Sequence, residues 1–530
     1  MIRVGTARIS RQTYEIAALA AMTALTRFLF RSHRLYDIDS VNFALALRRF
    51  DPATHQPHPP GYFLYVYSAR FASLLFHDAN TALVALSIFF SCGAVALIYA
   101  LGRDWFGRNA GRFAGLIFVF SPLAWFHGVV ALTYIVEAFF SALVGLLCWK
   151  VNRGAFGFVL PAAIALGLSA GFRPSSLLFL GPLFLFSLRR APARQISVGI
   201  GALAVTILAW FLPMIHLIGA GSYFSSLASL WLAVPSKVSV VNSPVANSIV
   251  RALLIAGIYF LCFGAVAILP VWAPRPQPRP ARNHATFAAF WIVPSLLFFV
   301  FVYLKFVNSG YLLIVMPPVC AWLGSRADNW YRSSPVPLSL KFLAIAACAA
   351  VNTAIFLWAP VYCSYGEITR FESELAAVIE VLPQVAPAGQ TVIVGLDSHF
   401  LGYRHAGYYL PEYLTLQYPE VRLDAGMRVF AMQQGDTSLK SSLAALPLRN
   451  FVIFPLPPGD AEYVEYVARL LERFPPGDLH SVSRGGNNYI TGPVADLRFL
   501  FPALTESESE RRPQPLTDPR EPEVSRVANR

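Results

Sequence analysis

From Thr13 to Tyr362 the chain is a series of apolar runs separated by short charged or proline-rich breaks. A spanning helix needs about 20 mostly apolar residues. Lipid satisfies no backbone hydrogen bonds, so only helices or closed barrels cross it. Barrel strands alternate apolar and polar residues over about ten positions, and runs such as Ala82–Leu101 do not. Composition agrees: 13% of the 530 residues are charged and the mean hydropathy is +0.53, against about 25% charged in soluble domains. The pattern predicts an all-α polytopic membrane protein with about eleven transmembrane helices. The spans read Thr13–Phe30, Ala82–Leu101, Phe113–Phe126, Tyr134–Trp149, Phe156–Phe172, Ser175–Leu188, Ile196–Gly219, Val250–Trp272, Phe287–Leu304, Tyr311–Gly324 and Phe342–Tyr362.

The apolar stretch Gly61–Phe76 is left out. It begins at Pro59-Pro60 and carries Arg70 near its centre, and a mid-helix charge is expensive in lipid. An interfacial or re-entrant helix is the expectation. Basic residues support the choice, because cytoplasmic breaks collect Lys and Arg. With the N-terminus inside, the inward breaks hold seventeen, from Arg3 to Lys341, and the outward ones eight: Arg31, Arg34, Arg48, Arg49, Arg70, Arg173, Lys237 and Lys305. A spanning Gly61–Phe76 would swap every later break. A reporter fused after Gly366 is therefore expected to be active outside the cytoplasm, and one fused at Gln277 inside; the opposite pattern at either site would invert the topology. The same clustering assigns the net charge of +13 to orientation signals, not to nucleic acid. The six cysteines lie mostly within apolar runs with no CxxC pair and read as small buried hydrophobes. Thr13–Phe30 lacks a small-residue cleavage site and reads as an anchor that stays.

These breaks divide the chain into a membrane domain, 1–362, a small extracytoplasmic α/β domain, 363–504, and a charged, proline-rich, disordered end, 505–530. The membrane domain includes a first outward loop, 31–81, lined by juxtamembrane helices. Strands are expected at Thr391–Leu396, Arg428–Met432 and Asn450–Pro455, and a helix at Ala461–Phe474. Pro274–Pro280 reads as a stiff cytoplasmic linker.

Unusual polar residues gather on the outward side: Asp37 and Asp39 after the first span, His58 in His58-Pro59-Pro60-Gly61-Tyr62, Glu137 a turn into the fourth span, Arg173 and Lys305 at outer span ends. Ionisable residues at such depth are functional candidates. A bland role exists for each: Asp37 and Asp39 as helix caps, Arg173 and Lys305 as snorkelling cations. Their gathering at one membrane face favours a cavity for something both polar and lipidic.

Asp39-Ser40-Val41-Asn42-Phe43 followed by His58-Pro59-Pro60-Gly61-Tyr62, an acid at the outer end of the fourth span, and Lys305 to Tyr311 continuing to Pro317-Pro318 resemble the GT-C membrane glycosyltransferases. The likeness is greatest to the protein O-mannosyltransferase-like and aminoarabinose transferase-like branch and covers roughly residues 10–325. Family members often carry paired acids or Gly-Glu where Ser40-Val41-Asn42 stands here. The resemblance implies inverting transfer of a sugar from a polyprenyl-phosphate carrier to a hydroxyl of a lipid, glycan or protein acceptor, in the plasma (inner) membrane. Asp39 would be the general base, with Asp37 and Glu137 beside it. Lys305, Arg173, His58 and Tyr311 would face the donor phosphate. A divalent cation, Mg or Mn, at His58 and Glu137 is a further implication. The rival class is a secondary transporter or lipid flippase, which calls for inverted repeats and a midplane site.

Overall fold

The computed structural model describes residues 11–228, 247–269, 282–302, 306–396, 400–418, 422–423, 426–427, 449–454, 480–484 and 487–493. All eleven apolar runs have a helical counterpart there. Helix α1 is Arg11–Leu29, 19 residues and so about 28 Å long, close to the hydrocarbon thickness. Next come α2 (Ile38–Arg48), a 3₁₀ turn (Pro52–Thr54), α3 (Phe63–Ala72), α4 (Ala79–Phe106), α5 (Arg108–Val119), α6 (Pro122–His127) and α7 (Tyr134–Asn152). Then follow α8 (Val159–Phe172), α9 (Ser175–Leu188), α10 (Ala193–Ile218), α11 (Asn247–Phe263) and α12 (Arg282–Leu297). A 3₁₀ segment (Phe306–Val315) leads into α13 (Met316–Ser333), and α14 is Leu338–Trp358. Five helices among the described residues are long and apolar enough to cross a membrane on length and composition; Phe156–Phe172, Ser175–Leu188 and Leu253–Ile268 are shorter apolar helices.

The centre of the bundle is α7, with 72% of its apolar window buried, whereas α10 and α14 have 17% and lie at the rim. Large apolar side chains such as Phe89, Leu208, Leu253 and Leu340 point outward, as lipid-facing residues do. Between helices in lipid, close backbone approach takes the place of the hydrophobic effect. Gly111 shows this: an added Cβ would meet the Tyr99 carbonyl oxygen at 2.6 Å, so α4 and α5 touch backbone to backbone. At the end of α1 remote from Asp39, Glu15 binds Arg108, Arg112 and Tyr99.

Expected spans are interrupted in several places: Val250–Trp272 passes from α11 into a 3₁₀ turn, Gly264–Ile268, and Phe287–Leu304 ends in a π turn, Phe298–Val302. The Phe113–Phe126 run divides into α5 and α6, because Pro122 starts a new helix and Ser121 caps it by accepting from Ala124 N. The Tyr311–Gly324 run begins as 3₁₀ and becomes α-helical only at Met316, with Pro317 and Pro318 in the first turn, where the missing N–H costs nothing. Backbone groups freed at such breaks need partners in lipid. Asn352 of α14 donates to the carbonyls of Phe120 (3.0 Å) and Phe263 (3.1 Å) and accepts from Ala265 N (2.7 Å). Arg27 donates to the Val119 carbonyl at 2.7 Å.

Within Gly61–Phe76, α3 has ten residues, about 15 Å of helix and half a bilayer. It lies against α2, where Arg70 donates to the Ala46 carbonyl at 2.8 Å.

Beyond α14, helix α15 (Tyr365–Val385) leads into a five-stranded sheet of order β2-β1-β5-β7-β6. The strands are β1 (Thr391–Leu396), β2 (Leu414–Tyr418), β5 (Asn450–Ile453), β6 (His480–Arg484) and β7 (Asn487–Pro493), and a separate hairpin pairs β3 (Arg422–Leu423) with β4 (Gly426–Met427). The inner strand β1 is parallel to both neighbours, and Val392, Ile393 and Val394 are all buried, as in a strand covered on two faces. A short helix, α16 (Tyr403–Tyr409), follows β1. Strands β1 and β5 fall on the expected Thr391–Leu396 and Asn450–Pro455. The expected strand at Arg428–Met432, the helix at Ala461–Phe474, the Pro274–Pro280 linker and the end 505–530 lie outside the described residues.

Candidate active site

The chain leaves α1 and is tied down at once: Ser32 N donates to the Val129 carbonyl at 2.9 Å, and Asn80 donates to the Ser32 carbonyl at 2.9 Å. Asp37 then caps α2, accepting from Asp39 N at 2.8 Å. The cap places Asp39 in the first turn, while Ser40, Val41, Asn42, Phe43 and Ala44 are buried. The Asp39 side chain is 31% exposed.

The second arm of the site is the turn 51–56. Asp51 and Gln56 pair as an antiparallel bridge, and His55 closes the turn in the left-handed region (φ 58°). His58 follows, and Tyr62, also left-handed (φ 46°), opens α3. Nδ1 of His58 lies 3.1 Å from Oδ1 of Asp39, an ion-pair contact off the hydrogen-bond axis. On the other side of the ring, Nε2 is 2.9 Å from the Tyr62 hydroxyl. Burial pushes the Tyr62 hydroxyl above the ordinary tyrosine range.

Behind Tyr62 is a buried ion pair. Nε of Arg173 lies 3.1 Å from Oε2 of Glu137, with side chains 4% and 0% exposed. Glu137 is in the first turn of α7 and Arg173 caps the end of α8, so the pair joins two helix ends. Arg173 also donates to the Thr133 hydroxyl at 2.6 Å, and Ser175 reaches Glu137 at 3.5 Å. Three tyrosine rings enclose the guanidinium, Tyr134 at 4.2 Å, Tyr311 at 4.5 Å and Tyr62 at 5.9 Å. Cation–π attraction of this kind is worth about 2 kcal/mol when desolvated.

The structure thus brings together Asp39, His58, Glu137, Arg173 and Tyr311 at the bundle end that carries the 31–78 loop. Asp37 stands one cap away, and Lys305 lies outside the described residues. Arg173 is buried, so it does not snorkel. The Glu137 carboxylate lies against the Arg173 guanidinium. Among the described residues no group of three His, Cys, Asp or Glu side chains converges to hold a metal. His58 lies between Asp39 and Tyr62, and Glu137 lies against Arg173.

Three participants escaped the sequence reading. Tyr134 and Thr133 looked like ordinary ends of an apolar run. His127 is fully buried with its ring 4.8 Å from that of Tyr134; a histidine inside the run Leu123–Leu132 was the available signal. Gly310 allows the Tyr311 segment to close over them, since a Cβ there would lie 2.7 Å from Nε2 of His127 and against the Tyr134 ring.

Residues 53–197 match the family model described as the protein O-mannosyl-transferase TMEM260 N-terminal domain. Among solved structures, the chain is similar to ArnT from Cupriavidus metallidurans in the apo state, with a TM-score of 0.56 and 13% identity, covering 92% of this chain and 99% of that one. ArnT bound to undecaprenyl phosphate gives 0.55 at the same identity and coverage. The Archaeoglobus fulgidus oligosaccharyltransferase tethered with an acceptor peptide has a TM-score of 0.48 at 14% identity, covering 91% and 74%. No curated protein sequence matches the chain. The chain is a multi-pass membrane protein with the GT-C fold.

Proposed function

We propose that this chain is a glycosyltransferase that moves a sugar from a polyprenyl-phosphate carrier to a hydroxyl acceptor at the outer membrane face, with inversion. The observation that carries the reading is the Asp39–His58–Tyr62 chain set against the tyrosine-enclosed Arg173 at one end of the bundle. Base and cation on one face suit displacement at an anomeric carbon. Asp39 takes the proton of the acceptor hydroxyl, whose oxygen bonds the anomeric carbon as the bond to the carrier phosphate breaks. The phosphate leaves with the electron pair. A base needs to come within about 3 Å of that proton, and the partly exposed Asp39 carboxylate is placed to do so. His58, 3.1 Å from the carboxylate, orients Asp39. Positive charge is needed where the leaving phosphate gathers negative charge, and Arg173 and Lys305 supply it, with Tyr311 beside them. ArnT was solved with undecaprenyl phosphate, the class of carrier this reading requires.

Binding of polyprenyl phosphate to the purified protein tests the donor half. Lys305→Ala and Arg173→Gln each remove a charged contact worth roughly 1.5–3 kcal/mol, so the Kd should rise about 10- to 100-fold. Unchanged affinity in both variants would move the phosphate site elsewhere.

A further inference from the structure

Four consecutive residues of the first loop are held by the tail. Glu372 of α15 accepts from the backbone N–H groups of His33 and Arg34. The Tyr409 hydroxyl accepts from Leu35 N at 2.8 Å. Tyr36 donates to the Tyr362 carbonyl at 2.6 Å, and its ring packs edge-on against Phe371, with Phe400 tilted beside it. Two neighbouring residues of α16 complete the grip. Nε2 of His405 lies 3.2 Å from the Leu35 carbonyl, and Arg404 donates to the Thr54 carbonyl at 2.9 Å. Both side chains are buried, at 0% and 2% exposure.

The register is informative. Leu35 stands four residues before Asp39, and Thr54 four residues before His58. One short helix end therefore holds the two chain segments that deliver the two contacting side chains. His405 is well suited to hold Leu35. Gly402 N donates to its Nδ1 at 3.4 Å, which leaves Nε2–H to donate to the Leu35 carbonyl. Burial pushes its imidazole down to about 4, against the backbone bonds to Leu35 and Tyr36, so the ring is neutral at physiological pH. Arg404 is fixed in turn by the Tyr403 hydroxyl at 2.8 Å.

We infer that Arg404 and His405 are positioning residues of the transferase, which set the Asp39–His58 contact from the tail domain. The inference rests on the proposed roles of Asp39 and His58. Misplacing a reacting group by about 1 Å costs on the order of 100-fold in rate, so a loosened turn should appear in kcat before donor binding.

The test uses the full-length protein, with Arg404→Gln, the conservative Arg404→Lys, and Glu372→Gln as a second route to the same loop. Hydrogen exchange over 33–39 and 51–58, polyprenyl phosphate affinity and kcat are measured together. Arg404→Gln should speed exchange at 51–58 and lower kcat roughly 10- to 100-fold, with donor Kd and exchange within α7 unchanged. Arg404→Lys should recover part of the rate. A loosened turn with wild-type kcat would overturn the inference, as would a loss that α7 exchange and donor Kd share. If Asp39→Asn is fully active, the underlying reading fails by its own test, and the exchange data alone decide whether the tail holds the loop.

Discussion

Asp39→Asn is expected to abolish sugar transfer while leaving expression, topology and lipid binding close to wild type. Asparagine is nearly isosteric and can still lie against His58, so a structural role would survive the exchange. It accepts no proton at neutral pH, so a base role would not. General-base losses are typically 10²–10⁴-fold, well beyond the effect of a mild folding defect. Asp37→Asn should do much less, because the bond Asp37 makes to Asp39 N is a cap that asparagine supplies equally well. Transfer rates of the two variants beside their thermal unfolding decide the matter. Retained activity in Asp39→Asn with loss in Asp37→Asn would reverse the assignment.

Glu137→Ala should cost roughly 3–5 kcal/mol of stability, because it leaves the Arg173 charge buried without its counter-ion. The cost belongs to the widowed charge, so exchanging both partners should relieve it. A Glu137→Gln, Arg173→Met double variant is expected to unfold near the wild-type midpoint in detergent and to remain inactive, lacking the cation for the leaving phosphate. Wild-type stability in Glu137→Ala would mean that water or a neighbour already compensates Arg173. A double variant as unstable as the single would show that the tyrosine enclosure needs the cation itself.

Much of the membrane domain was legible because bilayer thickness imposes a length on every apolar run. The eleven runs all became helical, and the omission of Gly61–Phe76 agrees with the ten-residue α3. What the sequence hid were helix breaks inside apolar runs. Hydropathy does not register the stop at Ser121-Pro122 or the 3₁₀ stretch before Met316, since both are decided by caps and by distant partners such as Asn352. At the site, depth and side pointed to Asp39, His58, Glu137 and Arg173, and the resemblance to Tyr311; the fold brings these five together. Their pairing was not legible: Glu137 looked like a neighbour for Asp39, and the geometry ties it to Arg173. The grip of the tail on the loop was also invisible, because it joins residues as far apart as His33 and Glu372, and no local pattern marks contacts of that separation. Strand β1 was readable from its β-branched run, whereas β6 and β7 carry mostly polar residues in sequence.

The most direct test follows the carrier lipid itself. Purified protein in nanodiscs is supplied with a pool of polyprenyl-phosphate-linked sugars and an acceptor-bearing membrane extract, and the lipids are followed by mass spectrometry over time. The account predicts time-dependent conversion of the sugar-linked carrier to free polyprenyl phosphate by the wild type and none by Asp39→Asn. Binding of the carrier, or its movement between leaflets, with no cleavage by the wild type would contradict it and favour a lipid transporter.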